Sequence, residues 1–594
     1  NINDGVLTDI LNIGSESSKI AELANLDDPI PALIAFQQHS GSQVPEAREL
    51  AWEAVARRKG RVLDQVRDWR DRLRLSSDPA ILTRFNQWEA MLECQSSLTI
   101  ALGYRDLKPT VLGGCSLTGT DLEGRYERLL QDLRTKWTAQ LGGDALRAIG
   151  VLKQRRDALE TSLARESAQF GAAVNPVQFD NLRSRLGRGE VFVEFTEYQP
   201  IESARAARRY GAFLVDASPS PRWIDLGAAA PIEQSIRDLF EAANDWSLAL
   251  SRRETSSARS SEQTAQDALR QLSKSVLAPL EPWLGAGTHR VRIAPDGMLT
   301  LVPFGALRDS QSRFLIERFA LGYVPAGRDL VSIAHPGGQN SAPVIALSPG
   351  AGSSRSAETA KPATLASAFR AERLDRLEGA ATEAHRLIQI IPRAQLLGEG
   401  EATEDRVKQL HSPALLHIVG HGIVRGNEDC KANPTSPGCA VTGLDAASRV
   451  MSLSAIVLEE AYGRAPKSTQ DGLLTALELE NIDLQNTELL VLSQCQMADG
   501  VPSSGEGLYG MRRAAAIAGV RTFVAPLWNV ADAPQGALME RFYKELSGGR
   551  ARDEALRAAQ LQLLRNPATS SFLYWAPVIL SGDTSPLPAA IFQR

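Results

Sequence analysis

Apolar residues recur with the period of an α-helix between about residues 45 and 170. The first part of this segment has them three, four or seven positions apart, at Trp52, Val55, Val62, Val66 and Trp69. A second series follows with similar spacing, at Leu122, Tyr126, Leu129, Leu133, Trp137 and Leu141. Charged residues lie between them, so the segment is predicted to be an array of amphipathic helices. It has no clean period of about 34 residues, so tetratricopeptide-type repeats are expected to be degenerate here or to lie upstream.

Strand patterns begin after "FGAAVNPVQ" (170–178), which breaks the helical period. Runs of β-branched and aromatic residues bounded by Gly, Pro or Asp predict strands. These runs are "EVFVEF" (190–195), "GAFLVDA" (211–217), "HRVRIAP" (289–295) and "FALGYVP" (319–325). Two serine-rich stretches, 251–267 and 350–363, are interpreted as flexible linkers or loops.

From residue 343 onward, predicted strands alternate with predicted helices. The strands are "PVIALSP", "ALLHIVG", "ELLVLSQ", "RTFVAPLW" and "WAPVILSG", and the helices cover about 379–391, 402–410, 505–518 and, as a pair, 532–565. This alternation predicts an α/β fold with a mostly parallel sheet covered by helices and preceded by an α-helical array. We expect a helical region at 1–175, a strand-rich region at 176–340 and the main α/β domain at 341–594.

Composition and charge narrow the class of protein. The chain has 594 residues, 43% hydrophobic and 23% charged, which is too long for one core and is typical of a globular protein. Its formal net charge of -5 gives no signal for nucleic acid, and no apolar run approaches the length of a membrane span. A small molecule or a protein is therefore the expected substrate, and no cofactor is predicted.

The cysteines and the first residues bear on location. The chain has only five cysteines (Cys94, Cys115, Cys430, Cys439 and Cys495), and none of them form a CxxC pair. They signal neither a disulfide framework nor a zinc site, which favours a reducing compartment and a cytoplasmic location. The first residues do not resemble a signal peptide and lack an initiator Met, so we interpret the chain as a fragment whose upstream region is missing.

Two predicted strands end in reactive residue types. In "LLHIVGHG" (415–422), His421 occupies a glycine-flanked turn, and in "LLVLSQCQMADG" (489–500), Cys495 follows the apolar run. The carboxyl ends of parallel strands share one sheet edge, so His421 and Cys495 can meet there. An adjacent imidazole can take the proton of a thiol and activate it as a nucleophile. The backbone N–H groups of Gly422 and Cys495 are the expected oxyanion donors.

A metal site is the alternative interpretation of the two histidines, because His417 and His421 are four residues apart. On a helix this spacing would place both on one face, but β-branched residues and glycines disfavour a helix here. No third ligand is spaced nearby, and Cys430 and Cys439 belong to a proline- and serine-rich segment. We therefore predict no metal, and we interpret His417 as a hydrogen-bonded core residue.

Four motifs in this order resemble the CHAT domain, a caspase-like family of clan CD cysteine peptidases related to separase. They are "LLHIVGHG", "LLVLSQCQMADG", "GEGLYGMRRAAAIAGVRTFVAPLWNVAD" and "YWAPVILSGD". The helical stretch "LAWEAVARRKGRVLDQV" is similar to the region that often links tetratricopeptide repeats to a CHAT domain. The resemblance implies a caspase-like catalytic domain with His421 as catalytic histidine and Cys495 as nucleophile, although "SQC" stands where relatives have "SAC". It also implies a degenerate companion sheet within 176–340.

The resemblance extends to substrate specificity. "LWNVAD" is similar to a separase-like "LWDVTD", whose last Asp binds an Arg side chain before the scissile bond, and the matching residue is Asp532. A carboxylate in a partly desolvated pocket favours Arg through bidentate pairing. The alternative is that Asp532 caps the helix that follows it. Ser493 is a second substrate-binding candidate, by analogy with caspases.

The sequence therefore suggests a regulated cysteine endopeptidase that cleaves a protein substrate, with specificity for a basic residue. The resemblance implies a role in bacterial defence or programmed cell death, with a regulatory partner acting through the helical region or the missing N-terminal region. A catalytically silent binding scaffold and a cysteine hydrolase of a small substrate are the alternatives. The turn-rich insertion at about 425–470 is interpreted as surface decoration, or as a regulatory or self-cleaved loop.

Overall fold

Amphipathic helices form the first part of the chain. In this computed structural model the described residues are 15–16, 18–19, 29–40, 44–74, 76–103, 139–168, 177–201, 206–331, 340–350, 376–424, 446–462, 470–493, 501–503 and 507–593. The first helices are α1 (Ile30–Ser40), α2 (Pro45–Arg58), α3 (Arg61–Arg74), α4 (Pro79–Gly103), α5 (Ala139–Ala168) and α6 (Phe179–Arg185). The apolar residues at 52, 55, 62, 66 and 69 are all buried, which confirms the helical prediction for the first part of the array. The second apolar series, at 122–141, lies outside the residues whose side chains are described. Tetratricopeptide repeats are not shown.

Strands from both sides of residue 340 belong to one sheet. The strands are β1 (Glu190–Tyr198), β2 (Arg209–Val215), β3 (Arg222–Ala228), β4 (Arg290–Ala294), β5 (Ala320–Tyr323), β6 (Val344–Ser348), β7 (Gln395–Leu397), β8 (Leu415–Val424), β9 (Ser454–Val457), β10 (Leu473–Thr475), β11 (Leu489–Ser493), β12 (Val501–Ser503), β13 (Gly507–Tyr509), β14 (Thr522–Pro526) and β15 (Val578–Gly582). The short strands β12 and β13 pair only with each other. The other strands are joined into a single sheet.

The sheet is mixed and mostly parallel. Its order is β10-β9-β8-β11-β14-β15-β5-β4-β1-β2-β3, and β6 pairs with β7 and β8. The strands β7, β6, β8, β11 and β14 run parallel, as do β15, β5, β4 and β1. The antiparallel pairing of β14 with β15 joins the two parallel sets. The predicted α/β class with a mostly parallel sheet is therefore confirmed.

Helices cover this sheet and complete its core. They are α7 (Ala229–Ser251), α8 (Thr255–Leu272), α9 (Leu315–Arg318), α10 (Gly327–Val331), α11 (Ala380–Ile390), α12 (Glu404–Lys408), α13 (Ala446–Leu453), α14 (Ala476–Leu479), α15 (Met511–Ile517), α16 (Asp532–Ser547), α17 (Arg552–Arg565) and α18 (Phe572–Trp575). The central strands are buried along their whole length because helices lie on both faces of a parallel sheet. Within the described residues, no helix is both long and apolar enough to cross a membrane.

Three local predictions are wrong. The serine-rich stretch 251–267 is almost entirely helical, because buried Ala258 and Ala265 begin an apolar stripe that continues to Leu272 while the serines face solvent. The helix predicted at 505–518 begins only at Met511, after Gly510, whose φ of 138° ends the preceding strand. The insertion at 425–470 is not only surface decoration, because its described part contains α13 and the buried strand β9.

One cysteine also departs from expectation. Cys94 is buried in α4 and is disulfide-bonded. The other four cysteines lie outside the described residues. Disulfide partners need to be close only in the folded chain, so the sequence spacing did not reveal this bond. Because disulfides are uncommon in reducing compartments, the cysteines no longer favour a cytoplasmic location.

Buried ion pairs join the helical array to the sheet. Lys59, directly after α2, donates to Glu194 of β1 at 3.1 Å and to the carbonyl oxygens of Phe195 and Ala294 at 3.0 and 2.7 Å. Burial raises the pKa of Glu194, and the charge of Lys59 opposes this shift. Both side chains are buried, so each ion depends on the other for compensation.

Lys59→Met should destabilise the chain by about 3–5 kcal/mol, because it leaves the Glu194 carboxylate buried without its counter-ion. The first urea-unfolding transition, followed by intrinsic tryptophan fluorescence, measures this loss. Lys544→Met is the matched control: Lys544 pairs with Glu540 on the exposed face of α16, and its loss should cost less than about 1 kcal/mol. Equal shifts for the two variants would show that the Lys59–Glu194 pair does not anchor the array.

Candidate active site

His421 lies within strand β8, not in a turn after it. The first half of β8 pairs with the parallel strands β6 and β11, and its last four residues pair with antiparallel β9, where His421 is opposite Val457. The sequence interpretation missed β9, so it ended the strand at Gly420, four residues too early. The His421 side chain is 6% exposed, and Gly422 follows it in the same strand.

Gly420 sets the distance between β8 and β6. A Cβ atom at this position would lie 2.6 Å from the carbonyl oxygen of Ser348, closer than real Cβ atoms approach. A larger residue would therefore push the two strands apart. The glycine before His421 is required by strand packing, whatever the histidine does.

Ser493 ends β11 beside this part of β8. The two strands are parallel, with Ser493 opposite Val419 and Val491 opposite His417. Ser493 is 5% exposed, and its Oγ has no hydrogen-bond partner in the described structure. Cys495, two residues further on, lies outside the described residues. The structure thus brings His421, Gly422 and Ser493 to one sheet edge, and the contacts of Cys495 stay a prediction.

His417 is a structural residue beneath this edge. It is fully buried, with Nδ1 3.0 Å from the hydroxyl of Tyr543 and Nε2 2.9 Å from Glu383 Oε1. Burial, together with the charge of Glu383, raises the pKa of Tyr543 well above its ordinary value. The protonated hydroxyl can donate to Nδ1, and Nε2–H can donate to Glu383 Oε1. This network links β8 to α11 and α16.

The same network leaves His417 no ring nitrogen for a metal. Where the chain is described, no group of three His, Cys, Asp or Glu side chains is arranged to hold a metal ion. Sequence reasoning missed Glu383 and Tyr543, since neither is near His417 in the chain. The polar residue at the centre of an apolar strand was the available signal that partners must exist.

Asp532 is the first helical residue of α16, while the N-cap is Ala531. Its Oδ2 accepts a hydrogen bond from the backbone N–H of Gly379, at the start of α11. The alternative in which Asp532 caps its own helix is therefore not what the structure has. The carboxylate joins the N-terminal ends of two helices, where positive helix dipoles favour a negative charge.

The surroundings of Asp532 change its acidity. Burial raises the pKa of its carboxyl above the ordinary value, the charges of Glu383 and Glu378 add to that shift, and the Gly379 N–H opposes it. A Cβ atom on Gly379 would lie 2.8 Å from Oδ2, so this close contact requires glycine. Asp532 follows β14, which is parallel to its neighbour β11. Asp532 therefore comes after the same edge of the sheet at which Ser493 ends β11.

Gln535, one turn further along α16, was missed by the sequence analysis. It is buried with 6% exposure, and within the described part of the chain neither Nε2 nor Oε1 has a hydrogen-bond partner. A polar residue at the start of the apolar stripe of α16 was the signal that could have identified it. Buried amides usually have partners, which makes Gln535 an exception near the candidate site.

Comparison with known proteins identifies the family. The family model of the CHAT domain matches residues 266–583, which is more than half of the chain. No curated protein matches the chain.

Solved structures of known peptidases are also similar. A crystal structure of the Saccharomyces cerevisiae separase–securin complex is 10% identical with a TM-score of 0.42, covering 93% of this chain and 43% of that chain. The Arg-specific cysteine proteinase gingipain R is 10% identical with a TM-score of 0.32, covering 54% of this chain and 68% of that chain. The chain thus spans less than half the length of the separase chain.

The family match confirms the resemblance carried by the histidine, cysteine and tryptophan motifs. It supports a caspase-like cysteine peptidase fold for the sheet that holds His421 and Ser493. The CHAT model covers β4, β5 and all later strands up to β15, so it includes most of the parallel sheet. The chain belongs to the CHAT domain family.

Proposed function

We propose that the chain is a regulated cysteine endopeptidase that cleaves a protein substrate after a basic residue. The observation that carries this proposal is the parallel, in-register pairing of β8 and β11, with Val419 opposite Ser493. His421 and Cys495 each stand two residues beyond that pair, and two residues span at most about 7 Å. If the segments after Val419 and Ser493 continue in the same register, the Cys495 thiol and the His421 imidazole are neighbours at the sheet edge.

The expected reaction uses both side chains. His421 takes the proton of the Cys495 thiol, and the thiolate attacks the carbonyl carbon of the scissile peptide bond. Backbone N–H groups of Gly422 and Cys495 stabilise the oxyanion, and the imidazolium then gives its proton to the leaving amine. Water hydrolyses the thioester with His421 as general base, which restores the thiol.

The basic-residue preference rests on Asp532. Its carboxylate is half-buried, carries one hydrogen bond from Gly379, and follows β14 beside the strand that ends at Ser493. A carboxylate in such a position can pair with both arms of a guanidinium, which a Lys ammonium cannot match. The proposal also includes a regulatory partner that acts through α1–α5. It further includes a role in bacterial defence or programmed cell death in the cytoplasm.

Cys495→Ala and His421→Ala should each lower peptide cleavage by at least about a thousandfold, because each removes one half of the nucleophile–base pair. A peptide library, read by mass spectrometry with cell extract as the source of a trigger, measures the loss. Lys544→Met, on the exposed face of α16, is the control and should keep full activity. A wild-type chain that cleaves no peptide under these conditions would favour a silent scaffold, whereas release of a small ester alone would favour a small-substrate hydrolase.

Asp532→Asn should lower kcat/KM for Arg-containing peptides by about ten- to a hundredfold, since the amide oxygen can still accept from Gly379 while the charge is lost. The alkylation rate of Cys495 by iodoacetamide should not change, because the dyad does not use Asp532. Measuring both quantities on one preparation separates substrate binding from nucleophile reactivity. Undiminished cleavage after Arg would remove Asp532 from the specificity pocket.

The raised pKa of Asp532 predicts a pH dependence. Below its pKa the carboxyl is neutral and binds a cation weakly, so KM for an Arg peptide should rise as pH falls toward a value above the ordinary 3.8. Ionisation is disfavoured in the folded chain, so the Asp532 contribution to stability decreases as pH rises through that window. Asp532→Asn should remove this KM transition. KM profiles between pH 4 and 8 test it, and identical profiles for both proteins would assign the transition to another group.

A further inference from the structure

Gln535 is a buried polar side chain without a partner. It is 6% exposed, and both its amide nitrogen and its amide oxygen lack a hydrogen bond to any residue that the structure describes. Burying an amide without hydrogen bonds costs free energy, so folded proteins rarely keep such a group without a use. A ligand that binds beside Gln535 would remove this cost.

The packing of α16 gives the position of Gln535 relative to the sheet edge. The buried face of the helix consists of Gln535, Leu538, Met539, Phe542, Tyr543 and Leu546. Tyr543 contacts His417 in the middle of β8. The eight residues from Tyr543 back to Gln535 rise about 12 Å, and the four residues from His417 to His421 rise about 13 Å. Because α16 starts after the carboxyl end of β14 and runs back along the sheet, Gln535 is level with His421.

Ser493 lies on the face of the sheet that α16 covers. Its Oγ also lacks a partner although the residue is only 5% exposed. Side chains opposite each other on parallel strands point to one face, so Ser493 shares the face of Val419 and His417. That face is the one covered by α16, since His417 bonds to Tyr543. Two buried, unpartnered polar groups therefore border the gap between α16 and the end of β11.

Asp532 adds a charge to this gap. It precedes Gln535 by three residues in the first turn of α16, a spacing that puts two side chains on neighbouring parts of a helix surface. Together the three residues offer a carboxylate, an amide oxygen and a hydroxyl oxygen. A guanidinium has five N–H donors and no acceptor, so it can use all three oxygens.

We propose that Gln535 is a specificity-determining residue that, with Asp532 and Ser493, binds the Arg side chain of the substrate. This inference rests on the proposed peptidase function. The amide oxygen of Gln535 accepts one guanidinium N–H, and its Nε2 donates to a carbonyl oxygen of the bound peptide. A Lys ammonium presents its donors at one point and cannot reach all three oxygens, so Gln535 favours Arg over Lys.

Gln535→Met tests this assignment, because Met has a similar length and no hydrogen-bonding group. We expect kcat/KM for a fluorogenic peptide with Arg before the scissile bond to fall about ten- to a hundredfold. The value for the matching Lys peptide should fall less, so the Arg/Lys ratio decreases. The Tm of the unliganded variant should stay equal or rise, because an unpaired buried amide has been removed.

Gln560→Met is the matched control. Gln560 is equally buried, but its Nε2 donates to the carbonyl oxygens of Trp575 and Val578 at 2.9 Å each. Its replacement should lower Tm and leave the Arg/Lys ratio unchanged.

The outcomes separate this inference from the function on which it rests. If the wild type cleaves after Arg and Gln535→Met keeps the same Arg/Lys ratio, the role of Gln535 is overturned and the peptidase stands. A fall in Tm like that of Gln560→Met would show that the amide has a structural partner and would also overturn it. If the wild type cleaves neither peptide while iodoacetamide still modifies Cys495, the peptidase proposal fails, and the assignment of Gln535 fails with it.

Discussion

The parallel pairing of β8 with β6 on one side and β11 on the other is the constraint on which the candidate site depends. It aligns the carboxyl ends of β6 and β11 with the middle of β8, at the edge where the functional groups of parallel sheets gather. Gly420 maintains this arrangement, because a side chain there would collide with the backbone of Ser348. A shift of one residue between β8 and β11 would turn Ser493 to the opposite face and separate it from α16. The register thus determines which residues of β8 and β11 meet at the proposed catalytic edge and which of them face α16.

Polar groups on this face of the sheet fall into two sets. Below the edge, His417, Glu383 and Tyr543 satisfy one another, and they lock β8, α11 and α16 together. At the edge itself, Gln535 and Ser493 are also buried, but no described residue forms a hydrogen bond with their side chains. A fully connected network stabilises a fold, whereas isolated polar groups destabilise it unless a ligand completes them. Along β8, the satisfied groups end and the unsatisfied groups begin at the level of His421. The proposed substrate is expected to bind at this level.

The sequence predicted the features that depend on local pattern. The central strands were recognisable as apolar runs bounded by turn residues, and strands β3, β7, β9 and β10 were missed because they are short or have weak alternation. The serine-rich helix α8 was mistaken for a linker because composition outweighed its buried stripe. The strand ends led to His421 and Cys495, and the analogy with caspases led to Ser493. The partners of His417, the bond from Gly379 to Asp532 and the unsatisfied amide of Gln535 depend on how α11 and α16 pack, which one sequence without its fold does not contain.

The helical array is attached to the sheet through buried charges, and this limits how it could regulate the proposed peptidase. Arg70 of α3 pairs with Glu480 after α14 at 2.7 Å, and its guanidinium lies over the ring of Trp88 at 4.5 Å. Arg513 of α15 pairs with Glu16 at the start of the described chain. Separating such pairs without replacing the partner exposes uncompensated charge to a low-dielectric interior. A regulatory partner that moves the array together with the elements it pairs with would avoid this free-energy cost. Because α15 follows Cys495 and strands β12 and β13 in the chain and pairs with Glu16 through Arg513, it connects the N-terminal part of the chain to the segment that carries the proposed nucleophile.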